Sequence, residues 1–394
     1  MATRPARERV RPSSEKEAHP KESGLPKDVL ESIERIKGVH NAQLVAKASD
    51  SVECNRIPTG CFMLDFALLG GLPQGYVSMI YGLESCGKTT ACLRGVAEFQ
   101  KKHPDKVVGW MDAEGLFDSE WAERLGVNVD KMVVATPDYG EQGVDIIDEW
   151  MSVKSIGLIV VDSLPSLVPM KMLEKSAEDD LMAAHPRLMG KMCSKITSNN
   201  QKERREGHWV TIWNINQFRS KVGFVLGNPM TLPGGRQINH IPSTKLWLKL
   251  KKEHMGKDEH GVEVHEYSEQ AFKFEKTKHG SSIKEGEYQL YLSPSNEKGL
   301  PEGSYDNVAA VMPFAKKYGF VTGGGSAWRL LTGKAPDTKY GNLTAIENFL
   351  YKNQEELDTL MRSVIAHQRK SKGHPALPPD GYLVSRQGRL IELQ

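Results

Sequence analysis

Gly82-Leu83-Glu84-Ser85-Cys86-Gly87-Lys88-Thr89 is the stretch that decides the fold. It satisfies G-x-x-x-x-G-K-[ST], the pattern of a phosphate-binding loop. The apolar run Val77–Tyr81 before it reads as a buried strand, and Thr90–Val96 after it as helix. Chance alone places the four fixed positions together in such a chain ~1% of the time, and the strand–loop–helix setting makes coincidence rarer still. The glycines let the backbone curl so that its N–H groups point at a phosphate. The free N–H groups at the helix start, with their partial positive charge, favour the same anion. Glu84, Ser85, Cys86 and Thr90 complete the cradle, Lys88 reaches the outer phosphates, and the Thr89 hydroxyl suits Mg²⁺.

Outward from this loop, apolar strands alternate with helices. Val107–Met111 ends at Asp112-Ala113-Glu114, and Met132–Ala135 follows. A helix from Gly140 carries Ile146, Ile147, Trp150 and Met151 on one face. Leu158–Val161 ends at Asp162-Ser163, and Trp209–Ile215 ends at Asn216-Gln217. Such a pattern predicts an α/β fold on a mostly parallel sheet covered on both faces, with function at the carboxyl ends of the strands. Asp162 is placed to hold Mg²⁺, Glu114 to deprotonate an attacking water, and Gln217 to sense the terminal phosphate.

The 394 residues carry 52 Lys and Arg against 50 Asp and Glu, a net charge of +2, so any basic surface must be local. The cysteines, Cys54, Cys61, Cys86, Cys92 and Cys193, show no metal spacing and read as buried thiols of a reduced compartment. No apolar run reaches the ~18 residues of a membrane span, and no secretory signal is visible.

Residues 1–24 read as a disordered, Arg-containing arm. Pro26 suits the first position of a helix striped by Val29, Leu30, Ile33 and Ile36 and stopped by Gly38. That stripe packs either on its own domain or on a neighbouring subunit. Two long polar segments, 163–186 and 218–235, interrupt the core. The second mixes Arg219 and Lys221 with Val222, Phe224 and four glycines, a composition suited to phosphates and bases of a nucleic-acid strand. Alternating runs at 245–250, 271–274 and 288–292 predict antiparallel strands, with a charged hairpin loop over 251–266. Beyond 300 a small α/β domain is expected, with Thr344 and Glu347 as a capping box. The expected divisions are 1–24, 25–55 (helix and linker), 56–299 (ATPase core), 300–370 (small domain) and 371–394 (tail).

With these residues placed, the chain resembles the RecA family of DNA recombinases over about residues 56–370. The resemblance is carried by Ile57-x-Thr59-Gly60-x-x-x-Leu64-Asp65, Gly71-Leu72-Pro73-x-Gly75, Gly82–Thr89 and Asp112-Ala113-Glu114. It continues through Leu125-Gly126-Val127, Pro137-Asp138-x-Gly140-Glu141-Gln142, Val160-Val161-Asp162-Ser163, Ile215-Asn216-Gln217, and Phe224–Pro229 with Gly234-Gly235. It implies an ATP- and Mg²⁺-dependent recombinase of the cytoplasm and nucleoid. Such a protein assembles as a helical filament on single-stranded DNA and exchanges that strand with a homologous duplex, aided by a single-strand-binding protein and a mediator.

By the same resemblance, Glu114 is the catalytic carboxylate and Gln217 the γ-phosphate sensor, while Asp118 and Trp121 pack the adenine. Loop one spans 163–186, with Met182 and Arg187 on DNA. Loop two spans 218–235, with Arg219, Ser220, Lys221, Val222, Gly223, Phe224, Gly234 and Gly235 as its DNA contacts. Lys276 and Lys278 correspond to lysines that reach a neighbouring subunit's ATP, and the residue 26–38 helix to one that docks on the adjacent subunit. Loop one here lacks glycine and carries Glu178-Asp179-Asp180, Ser194 stands at a basic family position, and the acidic C-terminal tail is missing. The competing readings are a hexameric helicase-type motor on the same core and a paralogue that loads a recombinase without exchanging strands.

Overall fold

The computed structural model describes residues 26–39, 52–174, 183–205, 207–220, 230–258, 260–333, 338–377, 382–385 and 390–392. The chain divides into two compact units, residues 1–48 and 49–394. Within the first, α1 (Lys27–Val39) starts one residue after Pro26, whose carbonyl accepts from Leu30 N. Pro26 therefore precedes the helix rather than opening it, and Gly38 lies inside it.

The second unit is built on one eight-stranded sheet. Its strands are β1 (Val77–Gly82), β2 (Val107–Asp112), β3 (Met132–Ala135), β4 (Ile156–Asp162), β5 (Thr211–Gln217), β6 (Thr244–Lys257), β7 (Glu263–Thr277) and β8 (Glu285–Tyr291). They lie in the order β8-β7-β6-β1-β5-β4-β2-β3. The six from β6 to β3 are mutually parallel, and β7 and β8 extend the sheet antiparallel.

Alternation along the strands sends side chains to two cores. Ile80, Trp110, Val160 and Trp213 face one core, where α3 (Lys88–Lys102) contributes Leu93, Val96 and Phe99. Met79, Met111, Ile159 and Ile212 face the other, against Ile147 of α5 (Gly140–Ser152) and Met189 and Met192 of α7 (Ala184–Arg205). Each fully buried aliphatic contributes ~1.5–3 kcal/mol over exposure, which is why the continuous apolar strands hold the centre of the sheet. All five cysteines are buried.

A third core joins Phe62 and Phe66 of α2 (Phe62–Ala67) to α9 (Asn307–Lys317), α10 (Leu343–Lys352) and α11 (Gln354–Ser371). With a small antiparallel sheet over 321–340, these form the small C-terminal lobe. Its N-terminal cap for α10 is Asn342, which accepts from Ala345 N at 2.7 Å. Thr344 is already helical, so the expected capping box does not form.

Two further expectations change. The charged stretch 251–266 is mostly strand, because β6 and β7 run 14 and 15 residues and pair almost to their tips. His185 and Pro186 belong to α7, where a proline in the first turn lacks only a donor that has no helical partner. Past the expected end of the small domain, strands Tyr382–Ser385 and Leu390–Glu392 form a hairpin, and the first pairs with Val52–Glu53.

Candidate nucleotide site and its loops

The phosphate loop leaves the middle of the sheet, where Gly82 lies beside Gln217 of β5 and Leu248 of β6. A Cβ on Gly82 would sit 2.3 Å from the Leu248 carbonyl oxygen and 2.5 Å from Cys86 Sγ, so the position admits only glycine. Gly87, at φ 74°, makes the left-handed turn into α3. No side chain caps α3, which leaves its first N–H groups for an anion. Lys88 is buried, and its ammonium donates to Leu83 O at 2.5 Å, curling over the loop.

Three other strand ends converge on the same place. Thr89 Oγ1 donates to Asp162 Oδ2 at 2.8 Å. Burial, reinforced by the charges of Glu114 and Asp112, pushes the Asp162 carboxyl up to about 6 against the Thr89 hydrogen bond and the Lys88 charge. A hydroxyl and a half-buried carboxylate without a full countercharge form a donor set that suits Mg²⁺. Glu114 Oε1 accepts from Ser163 Oγ at 2.6 Å, Gln217 Nε2 at 3.3 Å and Ser166 Oγ at 3.4 Å. The Glu114 loop is held by Asp112, whose carboxylate accepts Leu116 N and Phe117 N.

A cavity of about 360 Å³ joins these groups. Glu84, Ser85, Gly87, Lys88, Thr89, Thr90, Glu114, Asp162 and Gln217 line one side. Leu250, Glu253, His265, Ser268, Gln270, Leu290 and Leu292 line the other. This second wall, from β6 to just past β8, went unrecognised in the sequence, as did Ser166. Past Leu250 the charged residues of β6 and β7 and two breaks in register hide any alternation, so local sequence offers no signal for this wall.

Other expected site residues lie apart. Asp118 caps α4 (Ser119–Arg124) by accepting Trp121 N at 2.9 Å, and Trp121 packs under the Arg124 guanidinium, 5.3 Å away. Neither lines the cavity. Lys276 and Lys278 are also absent from its lining. Lys276 Nζ donates instead to the carbonyl of His240, the last residue of α8 (Gly235–His240), at 2.6 Å. Its ammonium is pushed below the ordinary lysine range by burial and then by the charges of Lys278 and Lys245.

The second loop is rooted beside Gln217. Phe218 packs edge-on against Tyr81 and Trp247, and Arg219–Ser220 pairs with Met230–Thr231. Gly234 and Gly235, both at positive φ, open α8, and Asn216 Nδ2 donates to Pro233 O. Arg219 and Arg187 are exposed. Met182, Lys221, Val222, Gly223 and Phe224 lie outside the described residues. Among the described residues, no helix is long and apolar enough to cross a membrane.

Residues 26–294 match the family described as the RecA N-terminal domain. Protein RecA of Petrotoga mobilis is 31% identical over 369 residues, covering 92% of this chain and 91% of that relative. Protein RecA of Mesomycoplasma hyopneumoniae is 38% identical over 226 residues, which span 57% of this chain and 65% of the relative. That of Gloeobacter violaceus is 38% identical over 242 residues, spanning 60% and 63%. A family match over more than half the chain, and a relative matched almost end to end, agree with the convergence of strand ends on the phosphate loop: the chain belongs to the RecA family.

Proposed function

We propose that the chain polymerises on single-stranded DNA, holds it stretched, and exchanges it for the like strand of a homologous duplex. ATP hydrolysis at the Gly82–Thr89 cavity drives the cycle. DNA-dependent ATP hydrolysis and recombination are the activities of its family. The observation that carries the residue-level reading is the meeting of Lys88, Thr89, Asp162, Glu114 and Gln217 at the ends of β1, β4, β5 and the β2 loop.

Lys88 and the first N–H groups of α3 bind the β- and γ-phosphates. Thr89 and Asp162 would hold Mg²⁺, which offsets charge on the phosphate oxygens. Glu114 takes a proton from the attacking water. Three donors already hold its Oε1, and among the described residues none is bonded to Oε2, so the free oxygen is the one available to the water. Gln217 exchanges its bond to Glu114 for one to the γ-phosphate, and the movement passes through Phe218 into loop two. Asp118 and Trp121 approach the adenine, while Lys276 and Lys278 serve a neighbouring copy. DNA lies against Met182, Arg187 and residues 219–224, with Gly234 and Gly235 as the loop's hinge. A single-strand-binding protein and a mediator are the expected auxiliary partners, in the cytoplasm.

The test is joint-molecule formation with ATP and Mg²⁺. Joint molecules should form from homologous and not from heterologous DNA. Unwinding of either duplex without pairing would point to a helicase-type motor. DNA binding with no joint molecules would point to a loader.

A further inference from the structure

The serines beside Glu114 belong to the segment that leads into the first loop. Ser163 follows β4 directly and is completely buried. Ser166 closes the single turn Leu164–Ser166 and lies 3.2 Å, oxygen to oxygen, from Ser163. Behind the turn, Gly140 N donates to Val168 O at 2.6 Å and Met170 N to Glu141 Oε2 at 2.9 Å. The far end of the loop returns to the same turn, where His185 Nε2 donates to Leu164 O at 3.1 Å.

This short stretch is thus fastened to Glu114 in front, to the start of α5 behind, and to the start of α7 at its side. Its exit is α6 (Met170–Glu174), where Met170, Met172 and Leu173 are exposed. Only Leu167, Val168 and Pro169 separate Ser166 from Met170, so a shift of α6 has a short covalent path to the Glu114 carboxylate. Gln217 reaches the same oxygen from the second loop. One atom, Glu114 Oε1, therefore gathers hydrogen bonds from the roots of both loops.

We propose that Ser166, acting through and beside Ser163, is a positioning residue that transmits occupancy of the first loop to Glu114. DNA against α6 sets the turn, the turn sets the two hydroxyls, and the hydroxyls aim the carboxylate at the water. This rests on Glu114 as the general base and on 163–186 as a DNA loop. Coupling of this kind needs an element whose arrangement both sites bias, and the Leu164–Ser166 turn is that element.

The test uses the full chain with Ser166→Ala, Ser166→Thr and Glu114→Gln, each checked by thermal melting. Ser166→Ala should lower the DNA-stimulated kcat ~10-fold, less than the ~10² of a fully misplaced group. KM for ATP and affinity for single-stranded DNA should stay within about twofold of the parent, because Ser166 is not in the cavity lining and the proposed DNA surface is the α6 that follows its turn. Ser166→Thr, which keeps the hydroxyl, should retain most of the rate. Ser166→Ala turning over like the parent while Glu114→Gln is slow would overturn the inference and leave the base assignment standing. A loss that Thr does not restore would overturn it too, as a packing effect. If Glu114→Gln itself hydrolyses normally, the reading of Glu114 fails and the inference fails with it.

Discussion

Lys88, buried at the start of α3, and Lys276, half-buried on β7, are cations served by the same sheet, yet they stand in opposite relations to the cavity. Lys88 is buried in it, bonded to its own loop and surrounded by Thr89, Asp162 and Glu114. Lys276, on the antiparallel extension, is bonded to the end of α8 and crowded by Lys278 and Lys245. The parallel half of the sheet supplies the phosphate loop and the proposed metal ligands, base and sensor from one chain. The antiparallel half keeps two lysines on a surface outside the lining of that chain's own cavity. Such a division suits a site finished by a second copy, where cations gathered on one subunit meet phosphates held by the next.

The sharpest break of this comparison is on the Lys88 side. Lys88→Ala should abolish nucleotide binding, measured with a fluorescent ATP analogue, because the phosphates lose their buried charge. Glu114→Gln should keep that binding and slow hydrolysis ~10²–10⁴-fold, since an amide cannot take the proton. Normal turnover in the second variant would make Glu114 merely structural.

On the other side, Lys276→Ala should depress DNA-stimulated ATPase without touching the cavity of its own chain. Mixed with Glu114→Gln subunits, it should regain activity at interfaces that pair one intact surface from each parent. Strictly additive mixtures would mean the lysine acts within its own subunit. The sign of its pH response follows from its surroundings. Its folded-state proton affinity is lowered, so its charge is lost as pH rises, before that of an ordinary lysine. In the unassembled protein the Lys276 ammonium should therefore lose its proton at lower pH than an ordinary lysine, as read by NMR of the labelled side chain, and a titration in the ordinary lysine range would contradict this.

The smallest effects belong to loop two, which links the halves by running from β5 to α8. Removing one phosphate contact at Arg219 or Lys221 should change the slope of log K against log salt by ~0.7 for a single strand. Val222→Ala or Phe224→Ala should weaken binding, by ~1–3 kcal/mol if the aromatic stacks on a base, with the salt slope unchanged. Four variants that bind like the parent at every salt concentration would remove 218–235 as the DNA loop.

What was legible in the sequence was whatever ends a buried parallel strand. Glu114, Asp162 and Gln217 each follow a run of apolar residues that has no exposed face, so the break in pattern marks the site. The cavity's second wall was not legible for the converse reason. Beyond Leu250, β6 and β7 form a ribbon whose strands are broken in register between Leu250 and Lys252 and between His254 and Met255. Much of that ribbon is solvated, so charge replaces alternation and the stretch reads as a loop. Ser166 was hidden because its partner is 52 residues away in sequence, and local spacing carries no trace of that contact. Asn342 and Thr344 are both capping residues, Asn the better, and a helix that starts at Leu343 buries its own Ile346 and Leu350 in the third core.

The hairpin at 382–392 gives the protein's biosynthesis a waiting period. Val52 pairs with Ser385, about 330 residues later. At ~5–20 residues per second, translation separates the two strands by roughly 15–70 s. During that interval Val52–Glu53 emerges ahead of the phosphate loop with no native strand partner, while the sheet beyond it assembles. Its edge can close only after Tyr382–Ser385 has left the ribosome, so this small sheet forms later than the parallel sheet that its first strand precedes in the chain.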